Sequence, residues 1–335
     1  MDYREKLNRR EAFVNWFGWS LQLEDCDPPL YMTKYFFDRF EYNREQQYWL
    51  VWLFGTTYHF PTAYLIWNEF PDMELVGVDR LREWNNTNYS RLRYQTDTKW
   101  NKGHLAEQFL SYKEWVGDKS QHERFSEYIT SDPHQTFRNL WEVANSWHKF
   151  GRYTSWFYLQ ALKQCVGVPL DVESLWLHDY SGSRSHRNGL CYALGVDEWV
   201  NERLDDDKIG WMEGSAKELL QETKAKFPTV SEEADFFAME TCLCSFKKLF
   251  RKRDGRYLGY YIDRQAEEIK KVEQDDWYGI DWQPMWDKRV ETLRKKYLTN
   301  SINKSKMEIF LDTGKIDHMG TFSDEMRDVG LERFF

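Results

Sequence analysis

Hydrophobic residues recur along most of the chain at the spacing of helices. Residues 43–54 open with an asparagine, a good helix cap, and close on Tyr-Trp-Leu-Val-Trp-Leu-Phe, with Gly55 as the natural stop. A second helix opens at Ser131-Asp-Pro, and its apolar positions have helical spacing: Phe137, Leu140, Trp141, Ala144 and Trp147. The same pattern predicts further helices over 59–70, 152–166, 214–227, 231–250 and 257–272.

Strand signals are weak by comparison. The best short candidate, residues 74–78, alternates poorly between apolar and polar positions. We therefore predict a mainly α, multi-helix globular fold with few or no short strands. One helical domain over residues 1–300 and an irregular C-terminal arm over 301–335 are expected, because no long linker interrupts the chain. The clearest breaks are the acidic turn at 205–207 and the charged junction at 253–256.

Composition narrows the class of protein. Aromatic residues make up 18% of the 335 residues, which excludes a disordered chain and supplies rings for a core or for stacking on bases. The five cysteines are odd in number and lack paired metal-ligand spacing, so no zinc site is predicted. Neither a signal peptide nor a membrane-spanning run is evident, so we expect an intracellular protein with reduced thiols.

The net charge of −9 excludes binding of nucleic acid by bulk charge, but local basic patches set the field at a groove. The denser patch comprises Lys247, Lys248, Arg251, Lys252, Arg253 and Arg256. A looser one comprises Arg91, Arg93, Lys99 and Lys102. A charge run is commonly a solvated face. Aromatic residues interleave with both patches, which favours nucleic acid.

The segment 179–191, Asp-Tyr-Ser-Gly-Ser-Arg-Ser-His-Arg-Asn-Gly-Leu-Cys, has little to offer a hydrophobic core. Its hydroxyls, glycine-freed amides and the forked donors of Arg184 and Arg187 suit phosphate oxygens. The apolar run at 190–194 indicates that the loop opens a helix or strand whose start can hold an anion. The alternative is a polar surface loop with a helix cap.

Several standard motifs are absent from the sequence: the Gly-x-x-x-x-Gly-Lys-Ser/Thr phosphate loop, Gly-x-Gly-x-x-Gly after a strand, His-Glu-x-x-His and the deaminase Pro-Cys-x-x-Cys. We therefore predict no cofactor and no metal, although a divalent ion is compatible with the handling of phosphate groups.

The segment 179–195 resembles the signature of the bacteriophage amino acid:DNA transferases, also described as glutamyl or putrescinyl thymine pyrophosphorylases. Residues 49–57, 150–159 and 257–268 are similar to further blocks of that family, in the same order. The resemblance implies a DNA-hypermodifying transferase, without a membrane partner, in the cytoplasm of the infected bacterium. Its substrate would be duplex DNA carrying phosphorylated or pyrophosphorylated 5-hydroxymethyluracil. An amino acid such as glycine, glutamate or serine, or the polyamine putrescine, would displace the phosphate, and the product would mask the phage genome from restriction.

Roles can be assigned to residues under this resemblance. Arg184 and Arg187 would hold the leaving group, assisted by Ser181, Ser183 and Ser185. Arg152 would assist them or bind the donor carboxylate, with a buried ion pair as the alternative. His186 would be the general base, or would contact a DNA phosphate or the backbone without proton transfer. Asp179 would orient His186 or act as the base itself.

The remaining candidates concern the base and the DNA. Asn188 would bond the uracil edge or form a turn, and Tyr58 and Tyr153 would stack on the target base. Cys191 would add to C6 of the pyrimidine as a thiolate or would be a small core residue. The two basic patches would bind DNA phosphates. A helical DNA glycosylase and a non-catalytic DNA-binding protein are the alternative functions.

Overall fold

The computed structural model describes residues 5–22 and 26–250. These residues form twelve α-helices and no β-strand, which confirms the mainly α prediction. The helices are α1 (Arg9–Gln22), α2 (Pro28–Arg39), α3 (Arg44–Thr57), α4 (Phe60–Glu69), α5 (Val78–Asn88), α6 (Leu105–Val116), α7 (Gln121–Ser126), α8 (Pro133–Ser146), α9 (Arg152–Ala161), α10 (Ser185–Leu194), α11 (Asp206–Lys226) and α12 (Phe236–Phe246).

The described helices fall into two compact units. In the first unit, α1 joins α10, α11 and α12 and the segment 174–184 that leads into α10. The second unit covers residues 29–173 and so contains α3 to α9 and nearly all of α2. The single domain over 1–300 stays a prediction. The predicted helix over 257–272, the junction at 253–256 and the arm over 301–335 lie outside the described residues.

Helix α3 lies in the aromatic core of the second unit. Its Trp49 and Trp52 are fully buried and stack on each other with ring centroids 5.2 Å apart. The predicted stop at Gly55 is wrong, because α3 continues to Thr57 and ends at Tyr58, whose φ of 46° is left-handed. Gly55 has a packing role instead, since a Cβ there would lie 2.9 Å from Cβ of Tyr158.

The structure corrects two other predicted boundaries and removes the strand candidate. Helix α11 begins at Asp206 with Asp205 as its N-cap, so the acidic turn at 205–207 is a helix start and not a break. The predicted helix over 231–250 begins at Phe236, where the Asp235 side chain accepts from the backbone N–H of Ala238. Residues 74–78 form no strand and lead into α5. The caps are short-range signals, and periodicity alone missed them.

Helices α10 and α12 cross at very short range in the first unit. A Cβ built on Gly189 of α10 would lie 2.1 Å from the backbone oxygen of Leu243 in α12. Both helices are buried along this contact. Only a glycine allows two backbones to approach so closely, and the crossing therefore fixes where the first turn of α10 lies relative to α12.

We predict that Gly189→Ala lowers the free energy of unfolding by about 3 kcal/mol, because backbone must move to admit the methyl group. The matched control is Gly214→Ala in α11, where nothing lies within 4 Å of a new Cβ. That change should be neutral or stabilising by up to about 1 kcal/mol, the gain expected for alanine in a helix. Urea unfolding followed by circular dichroism measures both. Equal stability of Gly189→Ala and the parent protein would contradict the crossing.

Candidate functional site

The predicted serine-arginine loop opens helix α10, as the apolar run after it suggested. The carboxylate of Asp179 folds the loop on itself, since its Oδ1 accepts from the backbone N–H of Ser181 at 2.8 Å and from its hydroxyl at 2.5 Å. At the helix start, Oγ of Ser183 accepts from the backbone N–H of Ser185 at 3.2 Å. Hydroxyls and backbone amides are thus gathered at the N-terminus of α10, where the helix dipole favours an anion.

The Arg187 side chain is hydrogen-bonded to the backbone of this segment. Its guanidinium is almost fully buried, and Nε and Nη2 donate to the carbonyls of Leu177 and Asp179, each at 2.9 Å. The guanidinium carbon also lies 3.8 Å from the ring centroid of Tyr180. Arg187 was predicted to bind the leaving group. In the structure its two hydrogen bonds hold the segment that also contains Arg184 and the serines predicted to bind the leaving group.

Glu213 of α11 holds the preceding stretch of the same segment. Its carboxylate accepts from the backbone N–H groups of Leu175 at 3.1 Å and Leu177 at 2.8 Å. The Tyr180 hydroxyl accepts from the backbone N–H of Leu204 at 2.9 Å. Sequence reasoning missed Glu213, because α11 has several acidic residues and no local pattern marks the one that accepts from a segment 36 positions earlier.

Arg184 and Asn188 both contact the turn at Asn201. Arg184 is exposed and donates from Nη1 to the carbonyl of Asn201 at 2.7 Å. Asn188 exchanges two bonds with Asn201, from side chain to side chain at 2.7 Å and from the Asn201 backbone N–H at 3.0 Å. Asn201 has a left-handed φ of 68°, which these bonds support. Asn188 therefore has a defined partner within the protein.

Lys247 adds a cation to the start of α10. It follows α12 directly, and its Nζ donates to Oγ of Ser185 at 2.6 Å. The sequence placed Lys247 in the denser basic patch as a DNA clamp. The structure brings it to the serine-arginine loop, through the crossing of α10 and α12, and its role in DNA binding stays a prediction. The other members of this patch lie outside what the structure describes: the side chain of Lys248, and the residues Arg251, Lys252, Arg253 and Arg256.

His186 and Glu240 form a buried pair between α10 and α12. Nδ1 of His186 lies 3.3 Å from Oε1 of Glu240, and the two side chains are 0% and 4% exposed. Glu240 stands in Phe-Phe-Ala-Met-Glu-Thr-Cys-Leu-Cys-Ser-Phe, where it is the one carboxylate. A carboxylate in so apolar a helix needs a partner, which was the available signal for this residue. Sequence reasoning instead gave Asp179 as the carboxylate to orient His186.

Cys191 is fully buried one helical turn after His186 and Arg187. Burial raises the pKa of its thiol to about 12, and the nearby charge of Arg187 offsets this only in part. The thiol is therefore protonated at neutral pH, and it has the environment of a core residue.

Arg152, Tyr58 and Tyr153 belong to the second unit. Arg152 is buried at the start of α9, with its guanidinium carbon 5.2 Å from the ring centroid of Trp156. Tyr58 is 3% exposed and contacts Tyr153 and Phe157, with ring centroids 5.8 Å and 4.7 Å away. Their roles in substrate binding stay predictions. The looser patch, Arg91, Arg93, Lys99 and Lys102, also lies in this unit.

Two features are absent from the described residues. No group of three or more histidine, cysteine, aspartate or glutamate side chains is placed there to hold a metal ion. No helix in the described ranges is long and apolar enough to cross a membrane.

Comparison with known proteins agrees with the resemblance of the central segment. The family model described as amino acid:DNA transferase matches residues 25–255, more than half of the chain. A protein named serinyltransferase, from Salmonella phage ViI, is 25% identical over 341 aligned positions, which cover 94% of this chain and 83% of that protein. No solved structure matches.

We predict different consequences for the two arginines of the loop. Arg187→Lys should lower the free energy of unfolding by about 2 to 3 kcal/mol, because a lysine cannot bond both carbonyls and stack on Tyr180. Arg184→Lys, at an exposed position, should stay within about 0.5 kcal/mol of the parent protein. Urea unfolding of both variants checks this, and equal effects would show that Arg187 does not hold the loop.

Proposed function

Because the chain belongs to the amino acid:DNA transferase family, whose members are enzymes that transfer an amino acid to DNA, we propose that it catalyses a substitution reaction at the 5-methylene carbon of a modified thymine. The substrate is 5-(pyro)phosphomethyl-deoxyuridine in phage duplex DNA, in the cytoplasm of the infected bacterium. The donor is the amine of glycine or a similar amino acid, or of a polyamine. Serine is the first donor to test, because the relative from phage ViI is named a serinyltransferase.

The bonds balance without an additional reactant. The amine nitrogen forms a bond to the 5-methylene carbon, and the carbon–oxygen bond to the phosphate breaks. The phosphate leaves with the bonding electrons, and the amine loses one proton to a base. The protein must therefore neutralise the leaving group and accept a proton.

The observation that carries the proposal is the convergence of anion-binding groups at the start of α10. Lys247 reaches Ser185 from α12, and Arg184 stands exposed beside it in sequence. The loop adds the hydroxyls of Ser181 and Ser183, and Arg187 and Glu213 hold this segment by its backbone. In this proposal Arg184 and Lys247 neutralise the departing phosphate, and Arg187 positions the loop.

Burial favours Asp179 over His186 as the base in this proposal. His186 is fully buried against Glu240, whereas Asp179 is half-buried in the loop itself. We therefore assign the proton-accepting role to Asp179, whose carboxylate is oriented by Ser181. The His186–Glu240 pair then holds the first turn of α10 against α12. The buried, protonated Cys191 has no covalent step in this proposal.

The reaction is tested by mass spectrometry of nucleosides. Purified protein is incubated with duplex DNA carrying 5-phosphomethyl- or 5-pyrophosphomethyl-uracil and isotopically labelled serine, glycine, glutamate and putrescine. We expect a thymidine adduct with one labelled amine, which also identifies the donor and the leaving group. Loss of the modified base with alkali-sensitive strands would indicate a glycosylase, and unchanged nucleosides with retained DNA binding would indicate a binding protein. Either outcome contradicts the proposal.

Removal of a cation at the start of α10 should slow the reaction strongly. We expect Arg184→Ala and Lys247→Ala each to lower kcat about 100-fold, the effect typical of one group that stabilises developing charge. The affinity for unmodified DNA should stay near that of the parent protein. The control is Lys217→Ala, an exposed position of α11 in the same unit. A kcat of the two variants equal to that of the control would refute these assignments.

A further inference from the structure

One surface of the second unit combines exposed aromatic rings with lysines and arginines. We call it the 89–102 face, and it comprises Tyr89, Arg91, Arg93, Lys99, Trp100 and Lys102. We propose that this face binds duplex DNA, with its cations on phosphates and with Trp100 and Tyr89 against nucleotide bases or sugars. The inference deepens the proposed function, since it rests on DNA as the substrate and says which surface contacts it.

The exposure of Trp100 is unusual for this protein. Most tryptophans of the described chain are buried or half-buried, but Trp100 is 74% exposed, the largest fraction of any aromatic side chain described. Tyr89 is 46% exposed. Large exposed rings cost free energy in water, and two of them within one short segment favour a binding surface.

The ammonium group of a lysine lies close to each of these two rings. Nζ of Lys99 lies 4.9 Å from the ring centroid of Trp100, and Nζ of Lys102 lies 4.2 Å from that of Tyr89. Both ammonium groups therefore lie within the distance of a cation–π interaction. A ring flanked by a cation matches a nucleotide, which presents an aromatic base beside an anionic phosphate.

No carboxylate of the described residues neutralises these two lysines. Neither Lys99 nor Lys102 makes an ion pair there, whereas Arg80 and Arg82 of the preceding helix pair with acidic side chains: Glu69, Asp79 and Glu107. Burial lowers the pKa of Lys102, and the neighbouring charge of Arg93 lowers it further. Two cations held this close gain when an anion binds between or beside them.

The backbone of the face is preorganised. The backbone N–H of Arg93 donates to Oγ1 of Thr62 at 3.0 Å. The Thr98 hydroxyl donates to the carbonyl of Thr57 at 2.8 Å. The carbonyl of Lys102 accepts from Nδ2 of Asn85 at 3.1 Å. Side chains on a fixed backbone lose less conformational entropy on binding.

Charge and exposure together favour DNA as the occupant. A protein partner would be expected to bury a wider apolar patch, but here each exposed ring is bordered by cations. The sequence assigned base stacking to Tyr58, which is 3% exposed and packed among aromatic side chains. Trp100 and Tyr89 are exposed rings of this unit that a nucleotide can reach without a rearrangement of the core.

The test uses the full chain and a labelled duplex of unmodified DNA, so that binding is measured independently of transfer. Fluorescence anisotropy over a series of salt concentrations gives the affinity and its salt slope. We expect the double variant Lys99→Gln, Lys102→Gln to reduce the slope of log K against log salt by about 2, roughly one for each lysine that no longer meets a phosphate. Trp100→Ala should weaken binding about tenfold with an unchanged slope, because stacking is not electrostatic.

The matched controls are Lys217→Gln and Trp211→Ala, an exposed lysine and a 49% exposed tryptophan of the first unit, which should leave affinity and slope unchanged. Thermal unfolding verifies that all variants are folded. A parental slope for the lysine variant, or a parental affinity for Trp100→Ala, would overturn the proposal. A reduced slope in a protein that transfers no amine would leave the face in place and refute the proposed reaction.

Discussion

The close crossing of α10 and α12 is the constraint on which the candidate site depends. Gly189 lets the Leu243 carbonyl approach the α10 backbone, and at that separation His186 and Glu240 meet one turn away. The same crossing brings Lys247, at the end of α12, to Ser185 at the start of α10. One steric requirement therefore fixes the positions of both the buried ionisable pair and the half-buried Lys247. A buried pair of this kind adds little net stability compared with apolar side chains, but it selects one register between the helices.

The loop before α10 is held mainly through its backbone. Glu213 accepts from N–H groups of the stretch that leads into it, and Arg187 donates to its carbonyls. The side chains of Asp179, Ser181 and Ser183 are therefore left to face outward or to contact the loop itself. Rigid placement of donors matters because a group aimed at developing charge is most effective when it needs no reorganisation during the reaction. An arginine that serves the loop in this way is no less important to the site than one that touches phosphate.

Local features of this fold could be predicted from the sequence, and long-range ones could not. Helices α3, α8 and α9 follow from periodicity and caps, and the loop 179–185 stands out by composition. Glu240 and Glu213 act on residues 54 and 36 positions away, beyond the reach of any local pattern. Gly55 shows a related difficulty, since a glycine after an apolar run signals a helix end and a close contact equally well.

Burial is what separates chemically similar residues in this site. The sequence predicted chemical roles for three residues that the structure buries: His186, Arg187 and Cys191. In the same segment Arg184 is exposed and Asp179 is half-buried. Arg184 directly precedes α10 and is exposed, whereas Arg187 lies in the first turn of α10 and is buried. Burial therefore divides this segment into groups that can meet a substrate and groups that hold the loop.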